Sequence, residues 1–222
     1  MKSPRRGRST EGRAEVRRDL VAAAVRLFTE RGYDETTIDD IAAAAGVGRR
    51  TFFRYFRSKE DAISPDHEAA LARVAEVFAA AHPDEPTTSL VLRAGETVFD
   101  QYTEDPQLSV RRFALTHRVP ALRDRESASV DHYRRLFTRH LRERIADDLT
   151  AAVMGASVVA AHNVALREWL SAGAPADGVA GLLDRFRGVA ELLPGEPGPT
   201  DLSGVADRLE AAIGRLERTA GR

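Results

Sequence analysis

Apolar residues recur along most of the chain at spacings of three and four, with no run alternating as a half-buried strand does. The pattern predicts helices throughout and an all-α fold. A first helix is expected from about Arg13 to Arg31, with Val16, Leu20, Ala24, Leu27 and Phe28 on one face and Gly32 as its stop. A second begins at Thr37, whose hydroxyl can cap the free amides while Asp40 completes a capping box. Ile38, Ile41, Ala42 and Ala45 form its apolar stripe. Gly46 then suits a left-handed stop, Val47 turns inward, and a third helix starts at Gly48 or Arg49.

The remaining segments are longer. Ser58 is expected to cap a fourth helix, interrupted at Pro65 and continued over Asp66 to Ala81. Breaks at His82–Pro86, Asp105–Pro106 and Val119–Pro120 set helix starts near Thr88, Pro106 and Pro120. Asp147 or Asp148 opens an Ala- and Val-rich helix ending near Leu170, and another covers Ala176 to Leu193. Pro194 to Thr200 reads as a linker and Asp201 to Arg218 as a last amphipathic helix. The uncharged stretch Leu149 to Leu166 holds Thr150, Ser157, His162 and Asn163 and is expected to be a buried helix, not a membrane span.

Charge changes the picture where hydropathy does not. The 222 residues carry a net charge of −1, but residues 1–59 hold 14 Lys and Arg against 8 Asp and Glu. The rest of the chain holds 19 basic and 26 acidic residues. A basic amino-terminal unit on an acidic body implies contact with a polyanion at one end. Residues 1–12 read as a flexible basic arm, with Arg5, Arg6 and Arg8 placed to follow a nucleic-acid backbone or enter a minor groove. There are no cysteines, which removes disulfides and thiolate chemistry. No apolar segment follows the basic start, so a signal peptide is not expected and the location is read as cytoplasmic.

Two helices joined by a short Gly-containing turn make a helix-turn-helix pattern. On a helical wheel Phe52 and Phe56 share one face, to be buried against the first two helices. Arg50 and Arg54 fall opposite, flanked by Thr51 and Phe53. Such a face suits the major groove, where arginine pairs with guanine, threonine reaches a base edge or phosphate, and a ring packs on a thymine methyl. Lys59 is expected to meet phosphate beside the amides of a helix start.

The stretch TTIDDIAAAAGVGRRTFFRYFRSKEDAI (Thr36 to Ile63), with the preceding LFTERGYDETT, resembles the DNA-binding signature of TetR-type repressors. The resemblance covers Val16 to Ile63 and places DNA contacts on Thr37, Arg49, Arg50, Thr51, Phe53, Tyr55 and Lys59. Three positions depart from the common pattern. Gly48 stands where Ser usually caps the recognition helix, Phe53 where Tyr is usual, and Tyr55 where His is frequent. The layout RVPALRDRESASVDHYRRLFTRHLRERI (Arg118 to Ile145) is similar to regulators of the mycofactocin type, some of which respond to acyl-CoA thioesters.

The resemblance, with the residues read above, divides the chain into an arm over residues 1–12 and a DNA-binding domain over 13–59. An effector-binding and dimerisation domain follows over 60–193, then a linker and carboxy-terminal helix over 194–222. It also implies a homodimer on an operator in double-stranded DNA, released by a small effector such as a hydrophobic acyl-CoA. Ala152, Ala156 and Ala160, flanked by Val153, Val159 and Val164, form one stripe open to a partner or to the chain's own core. Leu182, Leu183, Phe186, Val189 and Leu193 form a second. Tyr102, His117, His132, His162, Asn163 and Trp169 are the polar residues available to an effector. The chain lacks His-Glu-x-x-His, Gly-x-Ser-x-Gly and Gly-x-x-x-x-Gly-Lys, so no enzyme, metal site or cofactor is expected. The rival reading, a helical interaction protein that has lost DNA binding, leaves Arg50, Arg54, Lys59 and the basic arm without a use.

Overall fold

A computed structural model of the chain describes residues 10–193. Arg5, Arg6, Arg8 and the helix expected over 201–218 lie outside the described residues. The helices run α1 Thr10–Arg31, α2 Ile38–Ala44, α3 Arg49–Tyr55, α4 His67–Ala79, α5 Thr87–Glu96 and α6 Asp100–Thr103. They continue with α7 Pro106–Arg118, α8 Pro120–Leu141, α9 Asp148–Ser171 and α10 Val179–Arg187. Short 3₁₀ turns flank α10, and no strand occurs among the described residues.

Local chemistry sets most boundaries. Thr37 closes the expected capping box with Asp40. Asp66, Asp105 and Asp147 each accept from the backbone N–H three residues on, at 3.1, 2.9 and 2.7 Å. Pro106 and Pro120 sit in the first turns of α7 and α8, where a missing N–H costs nothing. Gly46 takes φ +67°, a conformation that a side chain would strain, and thereby ends α2 tightly enough to launch α3. Two expectations are corrected. The first helix begins at Thr10 instead of Arg13, so the end of the supposed arm is helical. The fourth helix does not begin at Ser58. Residues 58–64 form turns, closed by Ser58 and Asp61 accepting from backbone N–H groups, because Pro65 disfavours helical backbone at Ser64.

Burial divides between two apolar cores. The first joins Leu20, Ala24, Leu27 and Phe28 of α1 to Ile41 and Ala42 of α2, with Phe52 inserted from α3 and Phe56 from the position just after it. Each of the Leu, Ile and Phe side chains contributes about 1.5–3 kcal/mol. Leu115 of α7 and Leu122 of α8 belong to this core too, so the body reaches into the helix-turn-helix unit. The second core is built from α4, α5, α8, α9 and α10 around Phe99, Phe137, Met154 and Phe186. α8 and α9 approach closely at Gly155, where an added Cβ would lie 2.8 Å from the Thr138 hydroxyl. α9 is long and apolar enough to cross a membrane by composition. Its Ala151, Met154, Val158 and Leu166 pack into the core instead.

Candidate DNA-reading face and effector cavity

Phe52 and Phe56 hold α3 by its inner side, at 0% and 4% exposure, with ring centroids 5.6 Å apart. That anchor turns Arg49, Arg50, Phe53 and Arg54 outward, Phe53 at 46% exposure, while Thr51 and Tyr55 are half-buried at the edges. The outward residues are not equivalent. Arg49 donates to the Asp39 carboxylate at 2.8 Å and lies over the Phe53 ring, 5.3 Å from its centroid. Arg54 lies over the Tyr55 ring and donates to its hydroxyl at 3.2 Å. Arg50 has no side-chain partner among the described residues and leaves its whole fork to a ligand. Gly48 caps α3 without a side-chain bond.

Two further residues in the expected contact set, Thr37 and Lys59, are also engaged. The Thr37 hydroxyl accepts from the Asp40 N–H at 3.1 Å and donates to the Asp40 carboxylate. That bond holds the Asp40 carboxyl below the usual carboxylate range. Lys59 is not at a helix start. Its ammonium donates to the carbonyl oxygens of Tyr33 and Thr36 at 2.7 and 3.1 Å and sits 3.9 Å from the Tyr33 ring centroid. The Tyr33 hydroxyl donates in turn to Glu60, and burial together with that carboxylate pushes its pKa up. Asp39 was legible only as a helix-start charge; its pairing with Arg49, ten residues on, depends on the turn angle between α2 and α3.

A cavity of about 200 Å³ opens between α7, α8, α9 and the linker before α4. Ile63, Ser64 and Pro65 form its linker wall, and Tyr102, Arg112, His117, Glu126, Asn163 and Arg167 are among its polar lining. Tyr102, Glu126, Val130 and Asn163 also border a deeper recess of about 20 Å³, closed by Tyr133, Phe137 and His162. His162 stacks on Phe99, centroids 4.0 Å apart, and burial pulls its pKa down to about 4. Burial likewise pushes the Tyr102 phenol up and Tyr133 to about 12. His67 faces the Tyr133 hydroxyl at 3.2 Å and the Glu126 carboxylate at 3.5 Å.

Four of the six residues expected near an effector therefore line this space: Tyr102, His117, His162 and Asn163. Two do not. His132 is exposed on the outer face of α8, and Trp169 packs against Gly178 while its indole N–H donates to the Pro175 carbonyl at 3.1 Å. Arg112 and Glu126 were missed. Arg112 shares a helical stripe with Leu108 and Leu115, and Glu126 one with Leu122, Val130 and Tyr133; a charge inside an apolar stripe was the available signal.

The apolar stripes of α9 and α10 part company. Leu149, Val153 and Val164 stand outward at 71%, 45% and 44% exposure, with Ala160 also exposed. Leu182, Phe186, Val189 and Leu193 are buried within the chain, so the second stripe is its own core and does not face a partner. Among the described residues no cluster of three metal-ligating side chains occurs.

Residues 20–62 match the family described as bacterial regulatory proteins, tetR family, and residues 85–194 match the MftR C-terminal domain. The chain belongs to the TetR family of transcriptional regulators, with a carboxy-terminal region of the MftR type. It is 35% identical over 71 residues to the putative mycofactocin biosynthesis regulator MftR of Mycobacterium tuberculosis, a stretch of 32% of this chain and 36% of that one. The chain spans about a third of the length of the first curated relatives it matches. A putative TetR-family regulator from Syntrophomonas wolfei shares the fold at TM-score 0.61 and 16% identity, over 82% of this chain and 95% of that one. FadR from Bacillus subtilis, solved with stearoyl-CoA, does so at TM-score 0.51 and 21% identity, over 79% and 96%.

Proposed function

We propose that this regulator is a ligand-released repressor that binds a palindromic operator as a homodimer. Residues 13–59 read DNA, and residues 60–193 hold the effector and pair the subunits. The observation that carries the reading is the outward face of α3, where Arg49, Arg50, Phe53 and Arg54 project from a helix pinned by Phe52 and Phe56. Arg50 and Arg54 read base edges, Arg49 and Tyr55 flank them, and Arg5, Arg6 and Arg8 follow the adjacent backbone. Thr37 and Lys59 act mainly by fixing the first two helices, with contact to phosphate through whatever capacity their internal bonds leave.

The two functions meet at the linker. Ile63, Ser64 and Pro65 wall the cavity, and Ile63 is also part of the first core. Arg17 of α1 pairs with Asp66 at 3.0 Å, and Arg125 of α8 pairs with Asp61. A molecule entering the cavity bears on a segment that positions α1 to α3, and so on the distance between the two reading helices of a dimer. The α9 face at Leu149, Val153, Ala160 and Val164 supplies the dimer contact. An apolar depth with arginines at the cavity wall suits an amphiphilic anion, the class of the stearoyl-CoA bound to the Bacillus subtilis FadR. A mobility shift with genomic fragments at two salt concentrations tests the reading. Binding should fall steeply with salt while fragment preference persists, and absence of any preferred fragment would overturn it.

A further inference from the structure

The charges around the cavity do not balance. Arg112, half-buried on α7, has an Nε shut off from solvent with no hydrogen-bond partner, and its guanidinium pairs with no carboxylate among the described residues. Arg167 of α9 lines the same chamber and is also unpaired there. The one carboxylate in the wall, Glu126, lies toward His67 at 3.5 Å and borders the deeper recess, which Arg112 does not touch. Burial, then the nearby charge of Arg17, pulls the Arg112 pKa down to about 10. Keeping an enclosed cation without a counter-charge is costly, and the cost is recovered when a ligand brings the anion.

Resting on the effector-cavity reading above, we infer that the chamber takes a compact carboxylate, its anionic end against Arg112. The Nη groups, which are not shut off as Nε is, donate to the carboxylate through charge-assisted bonds. Size sets the rest. At about 10–15 Å³ of cavity for each water-sized group, 200 Å³ holds roughly 13 to 20 groups, and the recess of 20 Å³ adds about one or two more. That accommodates a carboxylate of about ten non-hydrogen atoms. Leu122, Val130 and Leu166 supply apolar walls for its body. A long acyl chain with its nucleotide carrier would have to extend out of the mouth of the chamber.

The test is calorimetric titration of the full chain with sodium octanoate, 1-octanol and stearoyl-CoA, on the wild type, Arg112→Met and Arg112→Lys. Octanoate should bind the wild type at least tenfold more tightly than octanol and more tightly than stearoyl-CoA. The preference for octanoate over octanol should fall below threefold in Arg112→Met. If that variant does not fold, Arg112→Lys carries the test, with octanoate at least threefold weaker and octanol unchanged. Equal binding of octanoate and octanol to the wild type, or a preference that survives both substitutions, would overturn the assignment to Arg112. Tighter binding of stearoyl-CoA would overturn the size limit while leaving the amphiphile-sensing reading intact. Binding of none of the three would overturn both.

Discussion

The ammonium of Lys59 lies 2.7 Å from the carbonyl oxygen of Tyr33, and this bond ties the start of the linker to the loop between α1 and α2. A lysine that the sequence places against phosphate thus spends two of its three donors inside the protein. The carbonyls it satisfies follow α1, a region where positive charge is favoured.

Lys59→Ala should therefore act first on stability. Losing two charge-assisted bonds to backbone carbonyls is expected to cost about 2–4 kcal/mol, after partial rehydration of the carbonyls. Urea unfolding of the variant checks this. A midpoint equal to wild type, together with a salt slope of DNA binding lower by about one per half-site, would return Lys59 to the role of a phosphate contact.

The outward stripe on α9 predicts the oligomeric state. Val153→Asp and Val164→Asp place charges on exposed positions, so neither should disturb the monomer core. Each should shift sedimentation toward monomer at micromolar concentration and weaken operator binding in parallel. A double variant that sediments as wild type would put the interface elsewhere.

His162 makes stability depend on pH. Its folded pKa, about 4, lies below the ordinary value of 6.5, so the unfolded chain binds the extra proton between those limits. The associated stability is full above pH 6.5 and declines as pH falls toward 4. From pH 7 to pH 5 the loss from this group is about 2 kcal/mol. His162→Phe should lose less than the wild type over that interval by about this amount, read from urea unfolding at the two pH values. Glu126, His67 and Asn163 face the same ring, so the comparison between the two proteins isolates the imidazole. Equal losses would show that His162 titrates normally.

How much was legible follows from where the information lies. Thr37, Gly46, Asp66, Pro106, Pro120 and Asp147 act on their own neighbours, and the helix ends they mark lie within about one residue of their expected places. The division of Phe52 and Phe56 from Arg50 and Arg54 is a matter of helical period and was equally readable. Ser58 misled because a cap needs a helix after it, and Pro65 denies the backbone that geometry. For α10, periodicity disclosed an apolar face but not what covers it; α9 of the same chain does. Arg112 and Glu126 escaped for a different reason. Each interrupts an apolar stripe, and only the packing of α7 against α8 and α9 makes the interruptions border one chamber.

The claim that α3 reads DNA through its free arginine is tested most directly by selection from random duplexes, with wild-type protein and Arg50→Ala in parallel. The wild type should enrich an inverted repeat whose two halves match. Arg50→Ala should lose about 1–3 kcal/mol of affinity for that site and relax its preference at one base pair in each half. No enriched sequence with folded wild-type protein, or an Arg50→Ala selection indistinguishable from it, would contradict the account.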